Sequence, residues 1–484
     1  MNYLMIFKSL GTLCYIEAAG MLISFGIALP GGDGGAPAFL LSALVTAAVG
    51  LGMSALRPRN TDIYAKDGFA VVGFGWLLVS VLGALPFLLS GVTPFVVDAL
   101  FESISGFSTT GASVLRAVED LPRGILFWRS LTLWMGGLGF LVLMLAILPG
   151  ARANTVHIMR AEFPGPSPDK FVPKIGQVAK ILYGIYLAVT AAVFLLLLLG
   201  GMGPFDAAIH ALGTASTGGF SSRSASVGAF DSAYVEGVVT VFMLLSGVNF
   251  TLYYALLKRN WRSVLRDEEL RLYAAAALAA TALVALNLWS SGVSRAPGEA
   301  LRHASFQVVS LLSTTGYTTA DFNVWPALSQ FVLFLLTVLG ATAGSTGGGL
   351  KCVRVLLLFK IARREVGKLI HPRSIRAVTI NGKAVEESTL SGVVIFFFLY
   401  VVLAAAGILV LSVDGKDLLS TISAVFAALN NIGPGLGLVE TTGHYADFST
   451  VGKLTLSLCM IVGRLEIYPV LLLCAPTFWR RVNL

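Results

Sequence analysis

The feature that most constrains the fold is a series of apolar stretches, each long enough to cross a lipid bilayer as a helix. A spanning helix needs about 20 predominantly apolar residues. Ten such stretches follow one another, at 10–29, 37–56, 69–90, 125–148, 178–200, 234–257, 271–290, 327–361, 390–411 and 450–474. Only 12% of the 484 residues are charged, and the mean hydropathy is +0.81. The sequence therefore predicts an all-α polytopic membrane protein.

The lysines and arginines are distributed unevenly between the two sides of these stretches. Most of them, including the dense group between Lys351 and Lys383, fall on one side. Because basic loops face the cytoplasm, both termini are predicted to be cytoplasmic. The net charge of +8 then reflects topology and contact with membrane lipids, and no nucleic-acid partner is predicted. The first stretch carries Lys8 and no small-residue cleavage site, so we expect a retained helix.

Four other apolar segments are too short to cross the membrane and end in small polar residues around a glycine. They read PFVVDALFESISGFSTTGAS, PFDAAIHALGTASTGGFS, PGEALRHASFQVVSLLSTTGYTT and GKDLLSTISAVFAALNNIGPGLG. Each begins with a turn and an acid, namely Asp98, Asp206, Glu299 and Asp417. A carboxylate suits the positive end of a helix, so each segment is predicted to be a short re-entrant helix followed by an extended strand.

These units recur about every 100 residues, each between two spans, which indicates an internal repeat. The predicted organisation is two N-terminal transmembrane helices at 1–66, repeat 1 at 67–152, repeat 2 at 153–262, repeat 3 at 263–383 with a broken second helix, and repeat 4 at 384–484. Non-helical backbone at membrane depth is stable only where protein or a water-filled cavity satisfies it. Four pseudo-repeated helix-pore-helix units around one pore meet that requirement.

The strands after the short helices are the candidate ion-binding residues. They are Thr109, Thr110 and Gly111; Ser216, Thr217 and Gly218; Thr314, Thr315 and Gly316; and Asn431, Ile432 and Gly433. Small residues let backbone carbonyls turn inward, and a ring of carbonyls replaces the hydration shell of K⁺. The strands contain no carboxylate, which argues against a divalent ion but leaves Na⁺ open. One aligned glycine per strand predicts few ion sites and modest selectivity for K⁺ over Na⁺.

The stretch at 327–361 is interrupted by GATAGSTGGGLK, which a continuous helix would tolerate poorly. Backbone exposed at this depth has to face the aqueous pathway. The predicted gate just inside the ring comprises Gly344, Ser345, Thr346, Gly347, Gly348 and Gly349. The alternative is a glycine-rich contact between helices. The glycine spacing imitates a phosphate-binding loop, but Leu350 stands where that motif has lysine, so no nucleotide site is predicted.

Arg464 is the basic residue that we place well within a span, where a charge is costly and usually functional. We predict that it faces the pore as part of the gate and opposes cation flow. The alternative is a local ion pair with Glu466, which lies two residues on and on a different helix face.

The residues that could carry catalysis or bind a metal show no suitable spacing. The histidines are His157, His210, His303, His371 and His444, and the cysteines are Cys14, Cys352, Cys459 and Cys474. Neither set has a ligand, disulfide or nucleophile-base pattern. We therefore expect no enzyme, although an intramembrane hydrolase is the alternative from another functional class.

The strands and the glycine-rich interruption resemble those of the Trk/Ktr/HKT superfamily of potassium transporters, most closely its TrkH/TrkG-type ion-conducting subunits. The resemblance is carried by STTGAS, ASTGGFS, STTGYT, NNIGPG, AGSTGGGLK and GRLEIYP, with DGFAVVGFGW, WMGGLGFLVL and AEFPGPSPDKFVPKIGQVAK in support. It implies potassium uptake across the bacterial inner membrane through a gated selectivity filter.

The resemblance also implies a homodimer of two pores and a cytosolic TrkA-like ring of NAD/ATP-binding regulatory subunits. No cofactor is expected on this chain, and K⁺ is the permeant ion. In the superfamily, glycine at the first filter position goes with K⁺ and serine with Na⁺; this chain has Gly111. It departs from the family pattern at Asn431, Ile432 and Pro434, which puts coordination by the fourth strand in question.

A mechanism that sequence leaves open is symport of K⁺ with protons or sodium on the same fold. The acids that could carry protons are Glu17, Asp98, Glu102, Asp206 and Glu466. For several of these acids, capping of a helix or a position at the edge of a span also explains why a carboxylate is present.

Overall fold

The computed structural model of the protein describes residues 1–31, 35–56, 64–139, 175–373, 376–439 and 443–479. These residues are almost entirely helical, with one small antiparallel hairpin of β1 (Thr379–Ile380) and β2 (Lys383–Ala384). The helices are α1 (Tyr3–Ala28), α2 (Ala36–Ser54), α3 (Ala65–Gly83), α4 (Leu85–Leu89), α5 (Val96–Phe107), α6 (Arg123–Gly137), α7 (Ile175–Leu199), α8 (Pro204–Ser216), α9 (Ala233–Ser246), α10 (Phe250–Leu257), α11 (Trp261–Leu265), α12 (Glu268–Ser290), α13 (Pro297–Leu312), α14 (Ala327–Leu339), α15 (Cys352–Ile370), α16 (Glu387–Leu411), α17 (Leu418–Leu429), α18 (Thr450–Arg464), α19 (Tyr468–Cys474) and α20 (Pro476–Trp479). The fold is the predicted all-α polytopic one.

The ten predicted spans differ in how continuous their helices are. Six are long and apolar enough to cross a membrane without a sharp break: α1, α2, α3 with α4, α7, α12 and α16. Two are bent pairs, α9 with α10 at 91° and α18 with α19 at 116°. The stretch at 125–148 begins as α6, and its remainder lies outside the described residues. The stretch at 327–361 is interrupted as predicted, since α14 ends at Leu339 and α15 begins at Cys352.

The N-terminal helix pair packs against the first repeat. Helices α1 and α2 lie along each other, with Gly11 close to the backbone of Gly50. Small residues permit this approach between helices in a membrane. Trp128 of α6 fills the space beside them and makes edge-on contacts with Phe39 and Phe107, at centroid distances of 6.4 and 6.3 Å. These contacts fix the first short helix, α5, against the N-terminal pair.

Four short helices, α5, α8, α13 and α17, lie between a preceding long helix and a following one, as predicted for the repeats. The acids at the starts of these helices differ in position and in hydrogen bonding. Asp417 is the N-cap of α17 and accepts from the Ser420 amide at 3.0 Å. Asp98, Asp206 and Glu299 lie inside the first turn, where they suit the positive helix end. Glu299 also accepts from the Arg295 amide, just before α13, at 3.1 Å.

Candidate functional site: a ring of four backbone strands

The four short helices end in the same unusual backbone turn. The first residue of each strand has a left-handed φ, between 53° and 61°, and these residues are Thr109, Thr217, Thr314 and Asn431. The third residue is always a glycine with φ of 75° to 87°, and these are Gly111, Gly219, Gly316 and Gly433. The middle residues are Thr110, Gly218, Thr315 and Ile432. We call these four glycines the ring glycines and the three-residue segments the ring strands.

The structure corrects the sequence alignment in the second repeat by one residue. Gly219, and not Gly218, occupies the position of Gly111. The Gly218 amide donates to the carbonyl five residues earlier at 3.0 Å, just as the middle residue Thr110 does at 2.9 Å. The predicted Ser216 is the last residue of α8 and precedes the ring strand. The signal that could have placed the ring glycine is the Ser-Thr pair before each strand: Ser-Thr-Thr-Gly in repeats 1 and 3 aligns with Ser-Thr-Gly-Gly in repeat 2, which puts the second glycine at the ring position.

The ring strands form a closed circuit. A β-carbon on Gly111 would meet the carbonyl oxygen of Gly218, and one on Gly219 would meet that of Thr315. A β-carbon on Gly316 would meet the Ile432 carbonyl, and one on Gly433 the Thr110 carbonyl, which returns to the first strand. Each ring glycine thus packs on the middle carbonyl of the next repeat. The four strands converge on one axis, and close approach as well as positive φ require glycine there.

The fourth strand keeps this geometry in spite of its different residues. Asn431 and Gly433 have φ values of 55° and 87°, close to those of the other strands. The side-chain Nδ2 of Asn431 donates to Thr110 Oγ1 at 3.0 Å and to the Met460 carbonyl at 2.9 Å, which ties this strand to the first. Because backbone atoms form the ring, the exchange of Thr-Thr for Asn-Ile leaves its conformation intact.

On one side the ring opens into a cavity of about 100 Å³, which we call the vestibule. All four ring glycines line it, together with Arg129 and other residues that follow the ring strands. Arg129 is buried and pairs with Glu102 at 2.7 Å. The exposed Arg116 pairs with Asp447 at 2.6 Å. The arginine charges near the vestibule are therefore matched by carboxylates.

On the opposite side the ring is covered by residues 340–351, the intramembrane loop. Thr217 Oγ1 donates to Thr346 Oγ1 at 3.2 Å, and the Gly348 amide donates to Thr314 Oγ1 at 2.6 Å. Gly348 also packs on the carbonyl of Asn430, next to the fourth strand. The loop therefore touches the strands of repeats 2 and 3 directly and lies beside that of repeat 4.

Both ends of the intramembrane loop are fixed by Glu269, a buried acid of α12 that sequence reasoning missed. One carboxylate oxygen accepts from the Ala343 amide at 2.7 Å and from the Val353 amide at 3.0 Å. We call this pair of bonds the Glu269 staple. Nothing near Glu269 in the sequence points to residues more than 70 positions away, so only the fold reveals it.

Arg464 supplies the contact to the first ring strand. Its guanidinium donates to the Thr346 carbonyl at 2.8 Å and to Thr109 Oγ1 at 3.3 Å. It also bonds the carbonyls of Gly136, at 2.5 Å, and Gly137, at the end of α6. Arg464 thus joins the intramembrane loop to repeat 1, and the arginine and the loop together adjoin all four strands.

The alternative of a local Arg464–Glu466 ion pair is not what the structure shows. Glu466 instead pairs with Arg354 of α15, across the turn between α18 and α19. The guanidinium of Arg354 lies over the ring of Phe396, 4.1 Å from its centroid. Arg464, the last residue of α18, and Glu466, in the turn that follows, thus serve different contacts, and Arg464 is directed toward the ring strands.

Comparison with known proteins gives matches over almost the whole chain. A profile of the TrkH family, described as "Cation transport protein", matches residues 36–481. The Trk system potassium uptake protein TrkH of Salmonella typhimurium is 37% identical, covering 99% of this chain and 100% of that protein. The Trk system potassium uptake protein TrkG of Escherichia coli K12 is 36% identical, covering 88% of this chain and 87% of its own length.

The crystal structure of the potassium transporter TrkH from Vibrio parahaemolyticus superimposes with a TM-score of 0.89 at 35% sequence identity. The match covers 99% of this chain and 100% of that one. These comparisons agree with the resemblance that the strands and the loop indicate. Membership of a family of transport proteins also agrees with the prediction that the chain is not an enzyme. The chain belongs to the TrkH family of cation transport proteins.

Proposed function

We propose that this chain takes up potassium across the inner membrane of a bacterium by channel-like conduction through the ring. The observation that carries the proposal is the closed circuit of four ring strands, in which each glycine packs on the next strand's middle carbonyl. The curated relatives are named potassium uptake proteins, which supports K⁺ as the permeant ion.

The chemistry of the ring suits a monovalent cation. Backbone carbonyls around one axis can replace the water of a K⁺ ion, and the short helices direct their partly negative C-terminal ends toward it. The ring residues carry no carboxylate, which a divalent ion would favour. With one ring glycine per strand, we expect few ion sites and modest K⁺/Na⁺ selectivity. Gly111 in the first strand favours K⁺ over Na⁺ by the family pattern.

The intramembrane loop and Arg464 form the gate in this proposal, and the structure represents a closed state. The loop crosses the end of the ring and bonds Thr217 and Thr314, while Arg464 places a positive charge beside Thr109. A fixed guanidinium opposes the passage of a cation. Opening then requires the loop to leave the ring strands and Arg464 to release the carbonyls of Gly136, Gly137 and Thr346.

In this proposal the vestibule faces the periplasm, and the loop side and both termini face the cytoplasm. The basic end of α15 supports this orientation, since Arg363, Arg364 and Lys368 belong to the helix that follows the intramembrane loop, and basic segments face the cytoplasm. The repeat boundaries given above are retained as 1–66, 67–152, 153–262, 263–383 and 384–484.

The partners in this proposal are a second copy of the chain, which gives a dimer with one pore per protomer, and a cytosolic TrkA-like ring that binds NAD or ATP. The end of α15 supports a protein contact, since Phe359, Val366 and Leu369 are 71%, 59% and 83% exposed on one face of the helix. The chain itself would bind no cofactor.

Symport is the weaker alternative because most of the candidate proton carriers are already paired. Asp98 pairs with Lys453 at 2.7 Å, and Glu102 and Glu466 pair with arginines. Asp206 accepts from Ser222 at 2.6 Å. Among the described residues, both carboxylate oxygens of Glu17 lack a hydrogen-bond partner, which leaves this acid as the candidate for a proton-linked role.

The proposal is tested by rubidium uptake into liposomes that contain the purified chain. We expect uptake driven by a K⁺ gradient alone, insensitive to an imposed pH gradient, and loss of preference for rubidium over Na⁺ in Gly111→Ser. Uptake that requires a proton or sodium gradient would favour symport, with Glu17→Gln as the diagnostic variant. A Gly111→Ser variant that is folded and unchanged would contradict the ring as the conducting element.

A further inference from the structure

We infer that a polar side chain nine residues before the ring glycine positions the strand in three of the repeats, and that Glu102 of the first repeat is a selectivity-determining positioning residue. The inference rests on the proposed function of the ring. The position is occupied by Glu102, His210, Gln307 and Ala424, counted from the ring glycines that the structure defines. We call it the buttress position.

The first repeat has the strongest buttress. Glu102 accepts from the Ser113 hydroxyl at 3.0 and 3.1 Å and from the Val114 amide at 3.1 Å, directly after the ring strand. Arg129 donates to the same carboxylate at 2.7 Å and to Ser113 Oγ at 3.1 Å. The side chains of Glu102 and Arg129 are 0% and 3% exposed, so water does not compete with these bonds.

The second repeat makes the equivalent contact with a histidine. One ring nitrogen of His210 lies 2.8 Å from the Asp206 carbonyl, so this nitrogen carries the proton. The other nitrogen then accepts from the Ser221 hydroxyl at 3.0 Å. Ser221 stands two residues after its ring glycine, as Ser113 does in the first repeat.

The third and fourth repeats complete the comparison. In the side-chain orientation that satisfies both its oxygen and its nitrogen, the Gln307 Oε1 accepts from the Thr319 backbone amide at 2.9 Å and from the Ala320 backbone amide at 3.3 Å. Ala424 cannot do this. Ser423, one residue earlier, accepts instead from the Leu436 amide at 2.6 Å. The same task is therefore performed by a carboxylate, an imidazole, an amide and a displaced hydroxyl.

Of these four side chains, Glu102 is the one with a full charge, and Arg129 balances it. The Arg129 guanidinium lies over the ring of Phe220, 4.1 Å from its centroid, and Phe220 directly follows the ring glycine of repeat 2. Arg129 also lines the vestibule. Neutralising Glu102 would loosen the first strand and leave an unbalanced positive charge at the cation entrance.

If Glu102 had a purely structural role, its substitution would lower the amount of folded protein but leave the K⁺/Na⁺ permeability ratio unchanged. If Glu102 positions the ring strand, the substitution changes that ratio. A matched control exists in Glu236 of α9, a buried carboxylate that receives two bonds of 2.7 Å from Arg302 on α13. This pair contacts a short helix as the Glu102 pair does. Among the described residues, however, the Glu236 carboxylate bonds Arg302 and not the segment that follows a ring strand, which Glu102 bonds at Ser113 and Val114.

The experiment measures the K⁺/Na⁺ permeability ratio of the purified full chain in liposomes, for Glu102→Gln, Glu236→Gln and Gly111→Ser. We expect Glu102→Gln to lower the ratio about tenfold, since the charge-assisted bonds to Ser113 and Val114, which hold the end of the ring strand, are lost. Glu236→Gln should keep the ratio of the parent. An unchanged ratio in Glu102→Gln beside a changed one in Gly111→Ser overturns the inference and leaves the proposed function intact.

An unchanged ratio in both Glu102→Gln and Gly111→Ser defeats the proposed function together with the inference. If Glu102→Gln does not assemble in the membrane, Gln307→Leu carries the same test, because it removes a neutral buttress of similar length. The ratio has to fall in Gln307→Leu, by less than tenfold, and a parental ratio there overturns the inference.

Discussion

The two sides of the ring are built in different ways. On the vestibule side, each strand is fixed by a side chain of its own repeat, such as Glu102 to Ser113 or His210 to Ser221. On the loop side, most contacts join different repeats, such as Arg464 of repeat 4 to Thr109 of repeat 1 and Thr217 of repeat 2 to Thr346 of repeat 3, whereas the Gly348–Thr314 bond lies within repeat 3. The local contacts survive movements of whole repeats, whereas the contacts between repeats do not.

This difference assigns separate tasks to the two sides. A ring that strips water from an ion has to keep its shape, which short-range bonds to a rigid helix provide. A gate needs two arrangements of similar free energy, which contacts between separately moving elements provide. We therefore expect substitutions on the vestibule side to alter which ion passes and those on the loop side to alter how much passes.

The largest effect is expected at the ring glycine of repeat 2. Gly219→Ala should lower rubidium uptake by roughly a hundredfold, because φ is +77° and the added methyl would meet the Thr315 carbonyl. Gly111→Ser shares both features, since φ is +75° and its β-carbon would meet the Gly218 carbonyl, so it should lose uptake as well as selectivity, and its K⁺/Na⁺ preference is measured on the flux that remains. Gly218→Ala is the matched control: its methyl would meet the movable side chain of Leu133. Uptake in liposomes measures both, and greater damage from Gly218→Ala would restore the alignment predicted from sequence.

Removal of the arginine at the gate should have the next largest effect, in the opposite direction. Arg464→Ala loses charge-assisted bonds to Gly136, Gly137 and Thr346, each worth about 1.5–3 kcal/mol. Basal uptake without a regulator should rise about tenfold or more, with the K⁺/Na⁺ ratio nearly unchanged. Arg464→Lys keeps the positive charge but lacks the several donor groups of the guanidinium, so its basal uptake should lie between those of the parent and of Arg464→Ala. Unchanged or lower uptake in a folded Arg464→Ala would remove the arginine from the gate.

A smaller rise is expected from the intramembrane loop itself. The methyl of Gly348→Ala would meet the Asn430 carbonyl and push the loop from the ring, so basal uptake should rise by a few fold, roughly 1 kcal/mol in the gating equilibrium. Gly367→Ala in α15 is the control, since nothing lies within 4 Å of the added methyl. Equal uptake in the two variants would argue against contact between loop and ring as the barrier.

The smallest effect is expected at the staple of the loop. Glu269→Gln keeps an acceptor for the Ala343 and Val353 amides but loses its charge, so uptake should rise about twofold. Glu268→Gln is the neighbouring control, because Glu268 pairs with Lys360 and bonds Asn381 outside the loop. Flux assays on both variants decide the point, and a larger change in Glu268→Gln would place the control of the loop elsewhere.

Sequence predicted much of the architecture because bilayer thickness dictates span length and repetition reveals the units. The interruption of the stretch at 327–361 was predicted correctly from its glycines, since they disfavour a continuous helix. The sharp bends after Ser246 and Arg464 were missed. Their local signals, such as Gly247 and Pro469, are common in membrane helices that stay straight.

The details of the site depended on contacts that no local pattern contains. The Arg464–Thr109 bond joins residues 355 positions apart. Gly219 is the exception, because aligning Ser-Thr-Gly-Gly with the Ser-Thr-Thr-Gly of repeats 1 and 3 would have distinguished it from Gly218, and its φ then agrees. The buttress position became visible once the ring glycines were aligned in three dimensions. Before that, His210 stood one residue out of register with Glu102 and Gln307.

The central claim is that four converging backbone strands carry the ion, and the reversal potential of the purified chain tests it most directly. With K⁺ on one side of the bilayer and Na⁺ on the other, recorded in the Arg464→Ala background to keep the gate open, the account predicts a reversal potential displaced toward the K⁺ equilibrium value. Gly111→Ser in that background should move it toward zero or toward Na⁺. A current that follows the proton gradient, or a reversal potential that Gly111→Ser leaves in place, would contradict the account.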